Sequence, residues 1–225
     1  MNQRILSTLG LAGVLAVAAA GPALAAQSNS YAVKAKVSPA KGGTKAKPAK
    51  VAVKFGYTVG EKAGLQPAAV KRYTIGFGGL RSNGDKFAKG ALVGSGTINN
   101  YVYLSNDPSG TGGFPCAKQL KIYNAGRNKA TLIITGDPAQ CGGVGTLPEI
   151  PAKFVPFKGG GTALQFDVPN NILHPIAGLT VAVRSVESTL KKGFLTSVGY
   201  KGAKRPVAVT FLTEDGQTST VGTTA

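Results

Sequence analysis

One histidine and two cysteines are all that 225 residues provide of the two side chains most often used in catalysis and metal binding. His174 stands in Leu173-His174-Pro175. Acyl transfer by an imidazole needs a nucleophile and an orienting carboxylate beside it. Ser185, Asp167 and Glu187 are the sequence neighbours that could serve, but their spacing fits no hydrolase signature. A metalloprotease helix motif is absent. Val93-Gly94-Ser95-Gly96-Thr97 lacks the spacing of a nucleophile elbow, and no glycine-rich phosphate loop occurs. The acidic residues fall mostly in turn contexts, such as Asn106-Asp107-Pro108, Gly136-Asp137-Pro138 and Glu214-Asp215-Gly216. The sequence therefore predicts no catalytic residue, no metal site and no cofactor, and the reading is of a non-enzyme.

Cys116 and Cys141 make an even pair. A tetrahedral metal site wants four ligands, and redox pairs favour a Cys-x-x-Cys spacing. The segments Lys118–Asn124 and Ala130–Thr135 read as a hairpin that draws the two cysteines together, so the expectation is one structural disulfide.

The elements that must hold these residues are strands. Arg4, the apolar run Ile5–Ala20 and Ala23-Leu24-Ala25 together read as a secretory signal peptide over residues 1–25, leaving 26–225 as a single domain. Tyr31–Val37 alternates apolar and polar residues, and Val51–Val59 does so again, with the polar segment Ser38–Lys50 between them. Val70–Phe77, Leu92–Leu104, Phe154–Phe157, Thr162–Val168, Leu179–Glu187, Phe194–Tyr200 and Pro206–Thr213 follow, and Gln217–Val221 adds a short edge strand. Glycine-rich turns between these runs predict an all-β fold. The default architecture is a two-sheet antiparallel β-sandwich, Ig-like or jelly-roll-like, of about ten strands.

The formal charge is +17, and Lys outnumbers Arg. Two basic clusters stand out. One carries Lys41, Lys45, Lys47 and Lys50; the other carries Lys191, Lys192, Lys204 and Arg205. Point charges of this kind suit anionic cell-wall polymer or polysaccharide, with strong salt dependence. Sequence-specific nucleic-acid recognition is not expected, because it leans on arginine forks. No later run is long enough to span a bilayer as a helix. The leading expectation is a secreted, extracellular, cell-wall-associated protein that acts at the envelope by electrostatic attachment. The alternatives are an extracellular carbohydrate-binding module and, third, a secreted hydrolase. The absence of Trp weakens the carbohydrate reading, because sugar platforms are usually aromatic.

Three stretches carry a resemblance: Val37-Ser-Pro-Ala-Lys-Gly-Gly-Thr44, Ala91-Leu-Val-Gly-Ser-Gly-Thr97, and Lys192-Gly193-Phe194 with Ser197-Val-Gly199, Lys204-Arg-Pro206 and Val209–Gly216. In these the chain resembles a group of uncharacterised secreted β-rich proteins of actinobacteria. Those proteins often carry further cysteines, near the segment matching Lys86–Gly90 and at the position of Tyr200, which this chain lacks. The resemblance implies the β fold and export, and it implies no activity.

Overall fold

The computed structural model describes residues 27–40, 42–143, 145–158, 160–200 and 204–225. The predicted signal peptide and Lys41 lie outside the described residues. The strands are β1 (Asn29–Ser38), β2 (Ala49–Glu61), β3 (Val70–Gly78), β4 (Leu80–Ser82), β5 (Leu92–Leu104), β6 (Phe114–Gly126), β7 (Lys129–Gly136), β8 (Ile150–Pro156), β9 (Gly161–Asp167), β10 (Leu179–Ser197), β11 (Pro206–Thr213) and β12 (Thr218–Thr224). A single-turn helix, α1 (Asn170–Leu173), precedes β10.

The fold is all-β, but the strands join into one sheet instead of two. Its order is β1-β2-β10-β5-β6-β7-β8-β9-β3-β11-β12, with β4 pairing on the end of β10. Every pairing is antiparallel. The two edges come back together. β1 lies along β12, Tyr31 of β1 stacks on Phe211 of β11 with ring centroids 4.0 Å apart, and Gln217 donates to the Gln27 carbonyl at 3.1 Å. The result is a nearly closed barrel. One continuous core fills it, drawn from the inward phase of almost every strand: Val53, Phe55, Tyr73, Phe77, Ile122, Leu164, Leu190 and Phe211 are all at most 5% exposed. Each such side chain contributes about 1.5–3 kcal/mol on leaving water.

A sandwich and a barrel give the same alternation along each strand, and only long-range pairing separates them. Here β10 makes the difference. The sequence suggests two strands, Leu179–Glu187 and Phe194–Tyr200; the chain forms one, Leu179–Ser197, which bonds to β2 along one side and β5 along the other. It bends at two irregularities, between Val183 and Ser185 against β5 and between Leu190 and Leu195 against β2. Such bulges add the twist and bend that closure requires. Gly96 lets β5 and β10 approach, since a Cβ there would lie 2.0 Å from the Glu187 carbonyl oxygen.

The antiparallel order gives the barrel two distinct ends. One gathers the connections that follow β2, β5, β7, β9 and β11. The other gathers those that follow β1, β3, β6, β8 and β10. At the first end Cys116, near the start of β6, bonds to Cys141 beyond β7, with Cα atoms 5.0 Å apart, as the sequence predicts. Beneath it Lys118 points inward, only 5% exposed, and burial pulls its pKa down. At the same end Ile172 and Leu173 of α1 are buried against the core. The small cavity they help to line, about 60 Å³, includes the Tyr73 hydroxyl and the Asn100 carboxamide oxygen, both without a protein hydrogen-bond partner. Among the described residues no helix is long and apolar enough to cross a membrane.

Candidate anion-binding end of the barrel

Two lysine groups far apart in sequence meet at the second end. Pairing of β2 with β10 sets Lys50 opposite Thr196. Between Leu190 and Leu195 β10 runs five residues while β2 advances two, and the bulge pushes Lys191 and Lys192 into solvent. The Lys50 side chain lies over Gly193: a Cβ on that glycine would sit 3.3 Å from Lys50 Cδ. The loop from β1 to β2 folds over the same corner. Its Thr44 amide donates to the Lys47 carbonyl and the Lys47 amide to Thr44 Oγ1, each at 2.9 Å, which fixes a tight turn with Lys45 and Lys47 exposed. Gly43 presses on the end of β10, where a Cβ would come within 2.2 Å of the Ser197 carbonyl oxygen. Lys204, just before β11 at the same end of the barrel, is exposed.

Arg205 does not belong with these contacts. The sequence places it in the basic cluster, but it is 3% exposed and faces inward. Its guanidinium donates to the Ala40 carbonyl at 3.0 Å, to Gly79 and Gly78 carbonyls at 3.3 and 3.4 Å, and to Ser197 Oγ at 2.6 Å. It also lies 5.7 Å from the Tyr200 ring centroid. Burial lowers its pKa, with Tyr200 opposing. A charge enclosed by neutral acceptors is a clamp for the basic loop, not a contact for a polymer. A run of adjacent basic residues, Lys204 and Arg205, gave no sign of which one turns in.

The sequence also misses the other half of this end. Arg81 of β4, Lys86 and Lys89 of the following segment, Arg127 of the β6–β7 turn, Lys129 at the start of β7, Lys153 of β8 and Lys158 beyond it are all exposed here. Between Arg81 and Arg127 lies an open hollow of about 430 Å³. The opposing charges are sorted to the far end: Glu61, Asp107, Asp137, Asp167, Glu214 and Asp215 all end or follow strands there. Glu187 lies on the wall, paired with Lys34, and Glu149 leads into β8. Among the described residues Asp85 is at the basic end, and Glu149 shares a hollow with Lys89 of that end. Farther along the wall Lys36 and Lys54 stand directly opposite each other, a like-charge pair that costs stability.

The histidine belongs to the acidic end. Its Nε2 is 2.8 Å from Glu214 Oε1, its Nδ1 is 2.9 Å from the Leu179 carbonyl oxygen, and Thr180 Oγ1 lies 3.4 Å from Nδ1. Both ring nitrogens face acceptors, which suits the imidazolium. Partial burial favours the neutral ring, but the Leu179 carbonyl and Glu214 outweigh it, and the pKa is raised. The hydrolase constellation does not assemble. Ser185 accepts from Asn99, Asp167 pairs with Arg72 and Glu187 with Lys34. His174 with Glu214 fastens the α1 segment to the β11–β12 turn, a partnership that 40 residues of separation concealed. Among the described residues no group of three or more His, Cys, Asp or Glu side chains is placed to hold a metal ion.

Compared with protein families, with curated proteins and with solved structures, the chain matches none.

Proposed function

We propose that this protein is an exported, non-enzymatic barrel that attaches to anionic polymers of the cell envelope through its basic end. The observation that carries the reading is the β2–β10 pairing, which brings Lys50 and its loop neighbours Lys45 and Lys47 beside Lys191 and Lys192, with Lys204 exposed at the same end of the barrel and most acids at the opposite end. Clustered like charges repel one another, and the repulsion is relieved when a polyanion displaces the counterions around them. Lysine side chains track such a polymer as mobile point charges, without demanding a fixed geometry. Binding then depends on charge density more than on sugar identity, and it fades with salt.

The test is co-sedimentation of the mature chain with anionic and with neutral wall polymers across a salt series. Retention on the anionic polymer that is lost as ionic strength rises supports the reading. A variant with the six lysines changed to Gln loses about tenfold or more of that retention at low salt. Equal retention on a neutral glycan, indifferent to salt, overturns it in favour of a carbohydrate-binding module. Unchanged retention of the six-lysine variant overturns the assignment of the site.

A further inference from the structure

The lysines track charge, but the hollow beside them has fixed geometry. We propose that it is a seat for one phosphodiester of a polyol-phosphate polymer, with Arg81 and Arg127 gripping the phosphate and the polar lining receiving polyol hydroxyls. The proposal rests on attachment through the basic end and names the polymer's chemistry.

The walls are held from several directions. Arg81 is carried by β4, where it pairs with Thr196 of β10. Arg127 sits in the β6–β7 turn, whose Asn128 carbonyl accepts from the Phe154 amide at 2.8 Å. The 3-10 turn Gly84–Lys86, which places Asp85, is tied to β6 by buried Asn124. The Asn124 carboxamide donates to the carbonyls of Gly84, Phe87 and Ala88 at 2.9, 2.8 and 3.1 Å. Asn83 is in turn fixed to the bulge of β10, its side chain donating to the Gly193 carbonyl at 3.1 Å. The two arginines thus come from separate, anchored elements and face one hollow.

Their charges are unspent. The ion pairs among the described residues are Lys34–Glu187, Arg72–Asp167 and His174–Glu214, so Arg81, Arg127 and Asp85 have no partner within 4.0 Å. One guanidinium fork saturates the coplanar edge of a carboxylate. Two forks arriving from different elements suit a tetrahedral group, which offers oxygens on more than one face. That geometry favours phosphate over a uronate. Asp85 adds an acceptor for a hydroxyl hydrogen and repels a second anion, which limits the seat to a single phosphate. A volume of about 430 Å³ accommodates a small polyol together with that phosphate. Phe154, the aromatic residue in the lining, is 7% exposed, so no base-stacking platform is on offer and a nucleic acid is disfavoured.

The experiment titrates the mature chain with three short oligomers of equal charge: oligo(glycerol phosphate), oligogalacturonate and oligothymidylate. The variant is Arg81→Lys with Arg127→Lys, which keeps the charge and removes the forks. Both residues are exposed, so folding is not at risk, and a thermal melt checks it. The expected result is that oligo(glycerol phosphate) binds best and loses about tenfold in the double variant, while oligogalacturonate binding changes little. Equal loss for both oligomers, or no loss for the phosphate oligomer, overturns the seat and leaves the lysine-borne attachment standing. Tighter binding of oligothymidylate than of oligo(glycerol phosphate) overturns the polyol assignment. If no oligomer binds at low salt and the six-lysine variant also leaves polymer retention unchanged, the attachment reading itself has failed.

Discussion

The two ends of this barrel are built on opposite principles. The acidic end is closed by partnered groups: a disulfide, a histidine–carboxylate pair, and carboxylates that bond their own loop amides, as Glu61 does with Ala63 and Leu65. Among the described residues the basic end leaves its exposed charges without ion pairs and uses one arginine, Arg205, to hold the loop that displays them. Neighbouring unpaired cations are kept at a cost, so on the proposed function recognition belongs to the basic end and reinforcement to the acidic end.

The comparison can be broken first at Arg205. Arg205→Met removes a buried guanidinium and leaves the carbonyls of Ala40, Gly78 and Gly79 without these donors. The expected loss is about 3 kcal/mol, read by denaturant unfolding, with faster proteolysis in the β1–β2 loop. A stability unchanged within error would show that the clamp is not structural. At the other end, Cys116→Ser with Cys141→Ser opens a loop of 25-residue separation. The chain-entropy model gives a loss of about 3 kcal/mol. Polymer retention of the still-folded variant should equal that of the wild type, and a loss of retention would erase the division of labour between the ends.

A part-buried histidine and a buried lysine at the acidic end make the contrast depend on pH. The folded pKa of His174 is raised, so the folded state holds its proton more tightly. Its contribution is full below the unfolded value of about 6.5 and is lost as pH rises through the folded value. Lys118 has a lowered folded pKa, so stability increases as pH climbs from that value toward the unfolded one near 10.5. Lys118→Met should stabilise by about 1 kcal/mol and abolish the alkaline rise. His174→Gln should cost under about 1 kcal/mol, since the pair is partly exposed, and flatten the dependence near neutrality. A pH profile identical to wild type in either variant would remove that residue from the account.

Much of the fold was legible because alternation reports which side of a strand is buried. The β1–β2, β6–β7 and β8–β9 hairpins and the disulfide follow from local runs and turns. Closure was not legible, because period-two patterning is the same in one curved sheet as in two facing ones. The merging of the two lysine clusters depends on β2 pairing with β10, a contact across more than a hundred residues. Arg81 and Arg127 stood alone in sequence, and only the placement of β4 against β10 brings Arg81 to the same hollow as Arg127. His174 found Glu214 in a segment that reads as turn chemistry alone.

The crowding of exposed bases at one end, while most acids share the other end with fewer bases, gives the barrel an electric dipole along its axis. Near an anionic surface such a body feels a torque before it feels a contact, and it turns its basic end downward. On the attachment proposed above, the disulfide-braced end would face away from the surface.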